Sequence, residues 1–319
     1  MNGKTDLRNR VIKNFGVFAP SLPSSGERRV RIEKALQSLR ESGYSTTLGK
    51  TTFSESGPKS ASGRERARDL ESLFLNDKVD AILCTTGGYS SIEMLSELDF
   101  DLLSAHPKPL IGYSDVTVLL FALFCRCMGE VYLGPMLVDA VEDPLALQTL
   151  LSGLGQPTRE FVDPELRWET GREGKEAAPR RRILPGRETS AEGWVLAGNL
   201  STAALMLGTD FFPDVSGSVL FLEYDREERR ALLSLERLLW QFRLSGVFSS
   251  IKGLVFGSLE HSVGEEESAL YNIERILSDV TEGFSFPVLF DVHFGHIYPS
   301  QIIPIGRPVT LEGTRIVFS

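Results

Sequence analysis

Short apolar runs alternate with amphipathic stretches through the first half of the chain, the pattern of parallel strands joined by crossover helices. Strands are expected over 10–18, 45–48, 81–84, 109–111 and 130–133, with helices over 27–42, 63–75, 91–97 and 115–127. Such an order predicts an open doubly wound sheet whose binding loops leave the carboxyl ends of the strands. From Asp163 to Gly193 the apolar period fades, and charged or turn-forming runs such as Arg172-Glu173-Gly174-Lys175-Glu176 and Pro185-Gly186-Arg187 take over. That stretch reads as a linker or substrate loop. Order returns with helices expected over 199–207, 228–244 and 268–280, strands over 218–222 and 253–257, and short strands between Pro287 and Phe318. The expectation is α/β throughout: a doubly wound parallel-sheet domain over 1–160, a loop over 161–193, and a second mixed, β-rich α/β domain over 194–319.

A length of 319 residues suits two such domains. The net charge of −9 argues against a nucleic-acid footprint, which needs a basic patch. The one basic run, Arg180-Arg181-Arg182, reads as a solvated loop. Cys84, Cys125 and Cys127 cannot all pair and show no CxxC spacing, so reduced thiols in a reducing compartment are expected. The first residues carry no apolar signal core, and no run reaches the roughly 18 apolar residues of a membrane span. A cytoplasmic protein without a membrane partner is the expectation.

Ser114 stands in Leu110-Ile111-Gly112-Tyr113-Ser114-Asp115, directly after an apolar strand and before an apolar helix. A serine at a sharp strand-to-helix turn is held exposed, where the helix N-terminus favours developing negative charge. The last glycine of a G-x-S-x-G elbow is missing, so Ser114 or Asp115 could equally be a helix N-cap. A serine nucleophile needs a base, and the chain has four histidines: His106, His261, His293 and His296. His106 precedes the entry to a strand, the wrong end for catalysis, and His261 lies in a polar turn. His296 follows the apolar run Phe286–Phe290, where a loop can present an imidazole. A metal site at Asp291, His293 and His296 is the competing reading, but it lacks an HExxH pattern or a second acidic cluster. Glu223 closes the apolar run Val219-Leu220-Phe221-Leu222 and can orient an imidazole, with Asp225 as local competitor. Thr85-Thr86-Gly87-Gly88-Tyr89 follows another strand, and its consecutive glycines can turn backbone N–H groups toward an oxyanion or form an ordinary tight turn.

These motifs occur together in one order. Gly87-Gly88-Tyr89-Ser90-Ser91, Leu98-Asp99-Phe100-Asp101, Ile111-Gly112-Tyr113-Ser114-Asp115-Val116-Thr117 and Gly134-Pro135 resemble the N-terminal half of LD-carboxypeptidases and microcin C immunity proteins. Gly198-Asn199-Leu200, Gly208-Thr209, Leu222-Glu223, Phe294-Gly295-His296 and Ile303-Pro304-Ile305-Gly306 resemble their C-terminal half. The resemblance implies a flavodoxin-like or amidotransferase-like first domain and a Ser-Glu-His triad of Ser114, Glu223 and His296. It also implies an oxyanion hole from Gly87, Gly88 and Asp115, and substrate contacts from Tyr89, Tyr113, Trp168 and Asn199. No metal or organic cofactor is implied; the partners implied are a small peptide or peptidyl-nucleotide substrate and a second copy in a homodimer. Thr86, where many LD-carboxypeptidases have Arg, and Ser90-Ser91 resemble the immunity-type branch more closely.

Overall fold

The computed structural model describes residues 11–127, 129–142, 144–154, 159–161, 181–225, 231–259, 267–297 and 300–319. In chain order its strands are β1 (Asn14–Phe18), β2 (Ser45–Leu48), β3 (Ala81–Cys84), β4 (Leu110–Gly112), β5 (Val131–Leu133), β6 (Arg159–Glu160) and β7 (Arg182–Ile183). They continue with β8 (Ser190–Asn199), β9 (Ser218–Glu223), β10 (Gly253–Gly257), β11 (Val288–Val292), β12 (Ile303–Pro304), β13 (Pro308–Glu312) and β14 (Arg315–Phe318). The chain divides into two compact units, one of residues 1–157, 205–214 and 301–306, the other of residues 158–204, 215–300 and 307–319.

In the first unit the strand order is β12-β5-β4-β3-β1-β2. β1 to β5 run parallel, and β12 closes the edge antiparallel to β5. The strands at the centre are apolar and buried along their length, as parallel strands covered on both faces must be. The crossover helices are α1 (Gly26–Glu41), α2 (Gly63–Leu75), α3 (Phe100–Ala105) and α4 (Thr117–Cys127). α2 begins in a capping box: Ser62 accepts from the Glu65 backbone N–H, and the Glu65 carboxylate accepts from the Ser62 N–H. α4 is apolar on all sides, and its first seven residues are buried. A helix of that kind belongs inside a core, which places its N-terminal turn in a fixed frame. The chain leaves β1 for β2 on one side and reaches β3 on the other, so the strand order reverses between β1 and β3. Ligands of such sheets bind outside the carboxyl ends of the strands at that point.

In the second unit the order is β6-β14-β13-β8-β9-β10-β11-β7. The middle four strands, β8 to β11, are parallel, and the flanking strands are antiparallel. The mixed, β-rich character expected from sequence is therefore present. Two of its strands lie where the sequence shows no apolar period. β7 falls inside the expected loop, and β8 begins there, running ten residues with its first half partly exposed and its last five residues buried. Among the described residues no helix is long and apolar enough to cross a membrane.

Candidate active site

The first unit presents Ser114 on the turn after β4. Its φ is 59°, a left-handed backbone that residues other than Gly, Asn and Asp rarely adopt. An N-cap has extended backbone, and here that position of the short 3-10 turn Ser114–Val116 is held by Tyr113. The Asp115 side chain does not cap either. It is buried, and its Oδ2 accepts from the Ser90 N–H at 3.0 Å, the Ser91 N–H at 2.9 Å and the Ser91 hydroxyl at 2.7 Å. The geometry thus removes the capping alternative at both positions, and Asp115 ties the turn of Ser114 to the turn after β3.

That second turn carries Gly87 and Gly88. A Cβ built on Gly87 would lie 3.2 Å from Ser114 Oγ and 3.5 Å from the Asp115 nitrogen, so a bare backbone is what lets the two turns approach. Gly88 has φ +149°, and a Cβ there would strike Ser21 Oγ at 2.4 Å. Ser21, on the loop after β1, accepts from the N–H groups of Tyr89 and Ser90, both at 2.9 Å. Arg66 of α2 is among the largest fully buried side chains of the described residues. Its guanidinium donates to Pro20 O, to Ser90 O at 3.1 Å and to Glu93 Oε2 at 2.9 Å. Burial pulls the Arg66 pKa down, and the charges of Glu93 and Asp115 push it back up. Ser21 and Arg66 escape a reading of the sequence, because each acts on a partner more than twenty positions away. The remaining first-unit residues diverge: Tyr89 is 81% exposed, whereas Tyr113 is buried and donates to Asp139 Oδ1 at 3.2 Å.

The second unit brings Glu223 and His296 together at the carboxyl ends of its parallel strands. Glu223 ends β9, is 1% exposed, and its Oε2 lies 2.7 Å from His296 Nδ1. Asn199, opposite Glu223 in register at the end of β8, donates to Glu223 Oε1 at 3.0 Å. Its own Oδ1 accepts from the Thr202 N–H at 3.0 Å and from the hydroxyls of Ser201 and Thr202. Asn199 is thus a buried support for the carboxylate. Gly295 has φ +93°, and a Cβ there would come within 2.5 Å of the Glu223 side chain. Asp225 sits at the other ring nitrogen, its Oδ2 3.4 Å from Nε2. The two acids that compete in the sequence therefore divide the ring, Glu223 at Nδ1 and Asp225 at Nε2.

Of the metal reading's three residues, Asp291 turns to a cation, with Arg182 Nε donating to its Oδ2 at 2.8 Å. Burial pushes the Asp291 carboxyl up, and the Arg182 hydrogen bond and charge pull it down. Arg182 is not a solvated loop residue as its run suggests: it lies on β7, stacks 4.2 Å from the Phe290 ring centroid and also reaches Glu274. Burial holds the three free thiols in their protonated form, with Cys125 and Cys127 raised to about 11 and Cys84 raised further. Trp168 and His261 lie outside the described residues.

The fold and these two centres define an α/β protein that presents a strained serine from one unit and a carboxylate-held imidazole from the other. The profile of the LD-carboxypeptidase N-terminal domain matches residues 15–134, and that of the LD-carboxypeptidase C-terminal domain matches residues 192–311. The chain belongs to the LD-carboxypeptidase family. It is 31% identical over 308 residues to a probable murein peptide carboxypeptidase of Bacillus subtilis, covering 95% of this chain and 90% of that one. It is 26% identical to the microcin C7 self-immunity protein MccF of Escherichia coli, over 93% of this chain and 90% of the relative. A solved structure of an MccF-like protein from Bacillus anthracis superposes with a TM-score of 0.85 at 26% identity, over 97% of each chain.

Proposed function

We propose that this carboxypeptidase-family hydrolase uses Ser114, Glu223 and His296 as a catalytic triad and cleaves the L-D peptide bond of a cytoplasmic murein tetrapeptide. The observation that carries the reading is the left-handed Ser114, at the carboxyl end of β4 and against the Gly87 backbone. Strain of that kind persists where the surroundings over-determine it, and such sites cluster at reacting groups. In the reaction, Glu223 fixes the ring through Nδ1–H and stabilises the imidazolium that forms. Nε2, released from Asp225, takes the Ser114 proton as Oγ attacks the scissile carbonyl. The backbone N–H groups of the Gly87-Gly88 turn and of Asp115 hold the oxyanion. The protonated imidazole gives its proton to the leaving amine of the D-residue, and water then releases the acyl group by the same steps. The reading has the enzyme act as a cytoplasmic homodimer. An aminoacyl-nucleotide substrate is the second reading, favoured by Thr86 and Ser90-Ser91 beside the likeness to MccF.

A fluorophosphonate probe is expected to label Ser114, and purified protein to release D-alanine from murein tetrapeptide faster than it hydrolyses an aminoacyl-sulfamoyl adenosine. Absence of label on Ser114 refutes the serine mechanism. The reverse order of substrates refutes the murein assignment.

A further inference from the structure

Among the described residues two besides glycine have left-handed backbone, Ser114 and Asp291. The first is the proposed nucleophile. The second lies on β11, where the pairing with β10 runs Val255 to Leu289 and then Gly257 to Val292. Phe290 and Asp291 therefore stand together opposite Phe256, one residue more than the partner strand holds. A bulge of this kind bends its strand and re-aims the chain beyond it. Here the chain beyond it is the loop of the base. Val292 O accepts from the Ser258 N–H at 2.8 Å and from the Phe294 N–H at 2.9 Å, and the Phe294 ring packs 5.9 Å from that of Phe221. Gly295 then lies against Glu223, and His296 meets the Glu223 carboxylate.

The bulge is held from outside the loop. Asp291 is φ 57° and 7% exposed, and its carboxylate accepts from Arg182, which pairs across the ladder with Phe290 and stacks on its ring. Aspartate takes this left-handed backbone more readily than most L-residues do, and here its carboxylate, held by Arg182, fixes it in place. We propose that Asp291 and Arg182 are positioning residues: a clamp that holds the β11 bulge and so aims the His296 loop. This rests on the reading in which His296 is the general base.

The test compares Asp291→Asn, Asp291→Gly, Asp291→Ala and Arg182→Gln in the full chain. Asn tolerates the left-handed backbone and can still accept from Arg182, so it should keep kcat within about threefold of the parent. Ala is strained in this backbone and loses the acceptor, and should lower kcat by roughly ten- to a hundredfold with KM within about threefold, as expected for a misaimed group. Gly, free of strain but without the acceptor, should fall between them. Arg182→Gln should lower kcat by about tenfold with KM unchanged, and it decides the matter if Asp291→Ala does not fold.

A kcat within twofold of the parent for both Asp291→Ala and Arg182→Gln overturns the clamp, as does a rise in KM at constant kcat. A second readout needs no substrate: the downfield His296 Nδ1–H proton resonance should be sharp in the parent and in Asp291→Asn, and lost in Asp291→Ala. If the parent turns over neither murein tetrapeptide nor aminoacyl-sulfamoyl adenosine, the proposed function fails. The resonance alone then decides the clamp, its retention in Asp291→Ala overturning it.

Discussion

Ser114 is strained, so its replacement by glycine and by alanine should differ in stability while agreeing in activity. Left-handed backbone costs an ordinary L-residue roughly 1–2 kcal/mol, and glycine releases that cost. Against it stands roughly 0.4–1 kcal/mol for the greater freedom of glycine in the unfolded chain. The relief is the larger quantity, so Ser114→Gly should melt at or above the parent temperature, while Ser114→Ala keeps the strain and gains nothing. Both should lose at least about two powers of ten in turnover, because the covalent step is gone. A Ser114→Gly protein that melts lower and keeps its turnover would return the residue to a structural role. The two acids at His296 separate in the same way. Glu223 is buried and bonded to both Nδ1 and Asn199, so Glu223→Gln should cost about three to four powers of ten in kcat. Asp225 is 35% exposed at 3.4 Å, and Asp225→Asn should cost less than about tenfold. Steady-state kinetics on the two purified variants checks the order, and its reversal would make Asp225 the orienting acid.

At the level of elements, both centres are built at the carboxyl ends of parallel strands, and tight glycine turns bring them to their partners. Gly295→Ala should therefore be far more damaging than its size suggests. The φ of +93° is strained for alanine, and its Cβ would overlap the Glu223 side chain at 2.5 Å. A loss of more than about 2 kcal/mol in denaturant unfolding is expected, with activity falling further than stability, since the displaced group is the one that holds the imidazole. The strand ends that carry Ser114, Glu223 and the Gly87-Gly88 turn were legible in the sequence because each closes a short, fully apolar run, whose burial on both faces leaves no other reading. β8 was not legible. Its first residues, Ser190-Ala191-Glu192-Gly193, carry no apolar alternation and are partly exposed, and what makes them a strand is pairing with β13, more than a hundred positions away. β7 escapes for the same reason, being two residues held by a ladder to β11 and by the Arg182 ion pairs. The roles of Asn199 and Ser21 were hidden likewise. Nothing local marks the one as a support for Glu223 or the other as the acceptor that fixes Tyr89 and Ser90.

For the molecule as a whole, the reaction is expected to belong to one serine and to no thiol. Cys125 and Cys127, raised to about 11 by burial, are ionised to about one part in a thousand at pH 8, and Cys84 less still. A raised thiol pKa means less thiolate at any pH below it, so iodoacetamide at pH 8 should leave activity unchanged. Inactivation at that pH would show a reactive thiol in the working site. Specificity is a different matter, because the relatives of this chain include both murein peptide carboxypeptidases and the self-immunity protein MccF. The proposed function counts Trp168, in a segment whose sequence is long and polar, as a substrate contact rather than a member of the triad. Trp168→Ala should then raise KM for murein tetrapeptide several-fold at nearly constant kcat, as loss of a contact made equally in the ground and transition states does. Assaying the same variant on aminoacyl-sulfamoyl adenosine separates the branches. A loss confined to the nucleotide substrate would mean that the ring stacks on a base and would favour the immunity-type activity. An unchanged KM for both would remove Trp168 from the substrate site and leave Tyr89, 81% exposed on the turn facing Ser114, as the aromatic to test next.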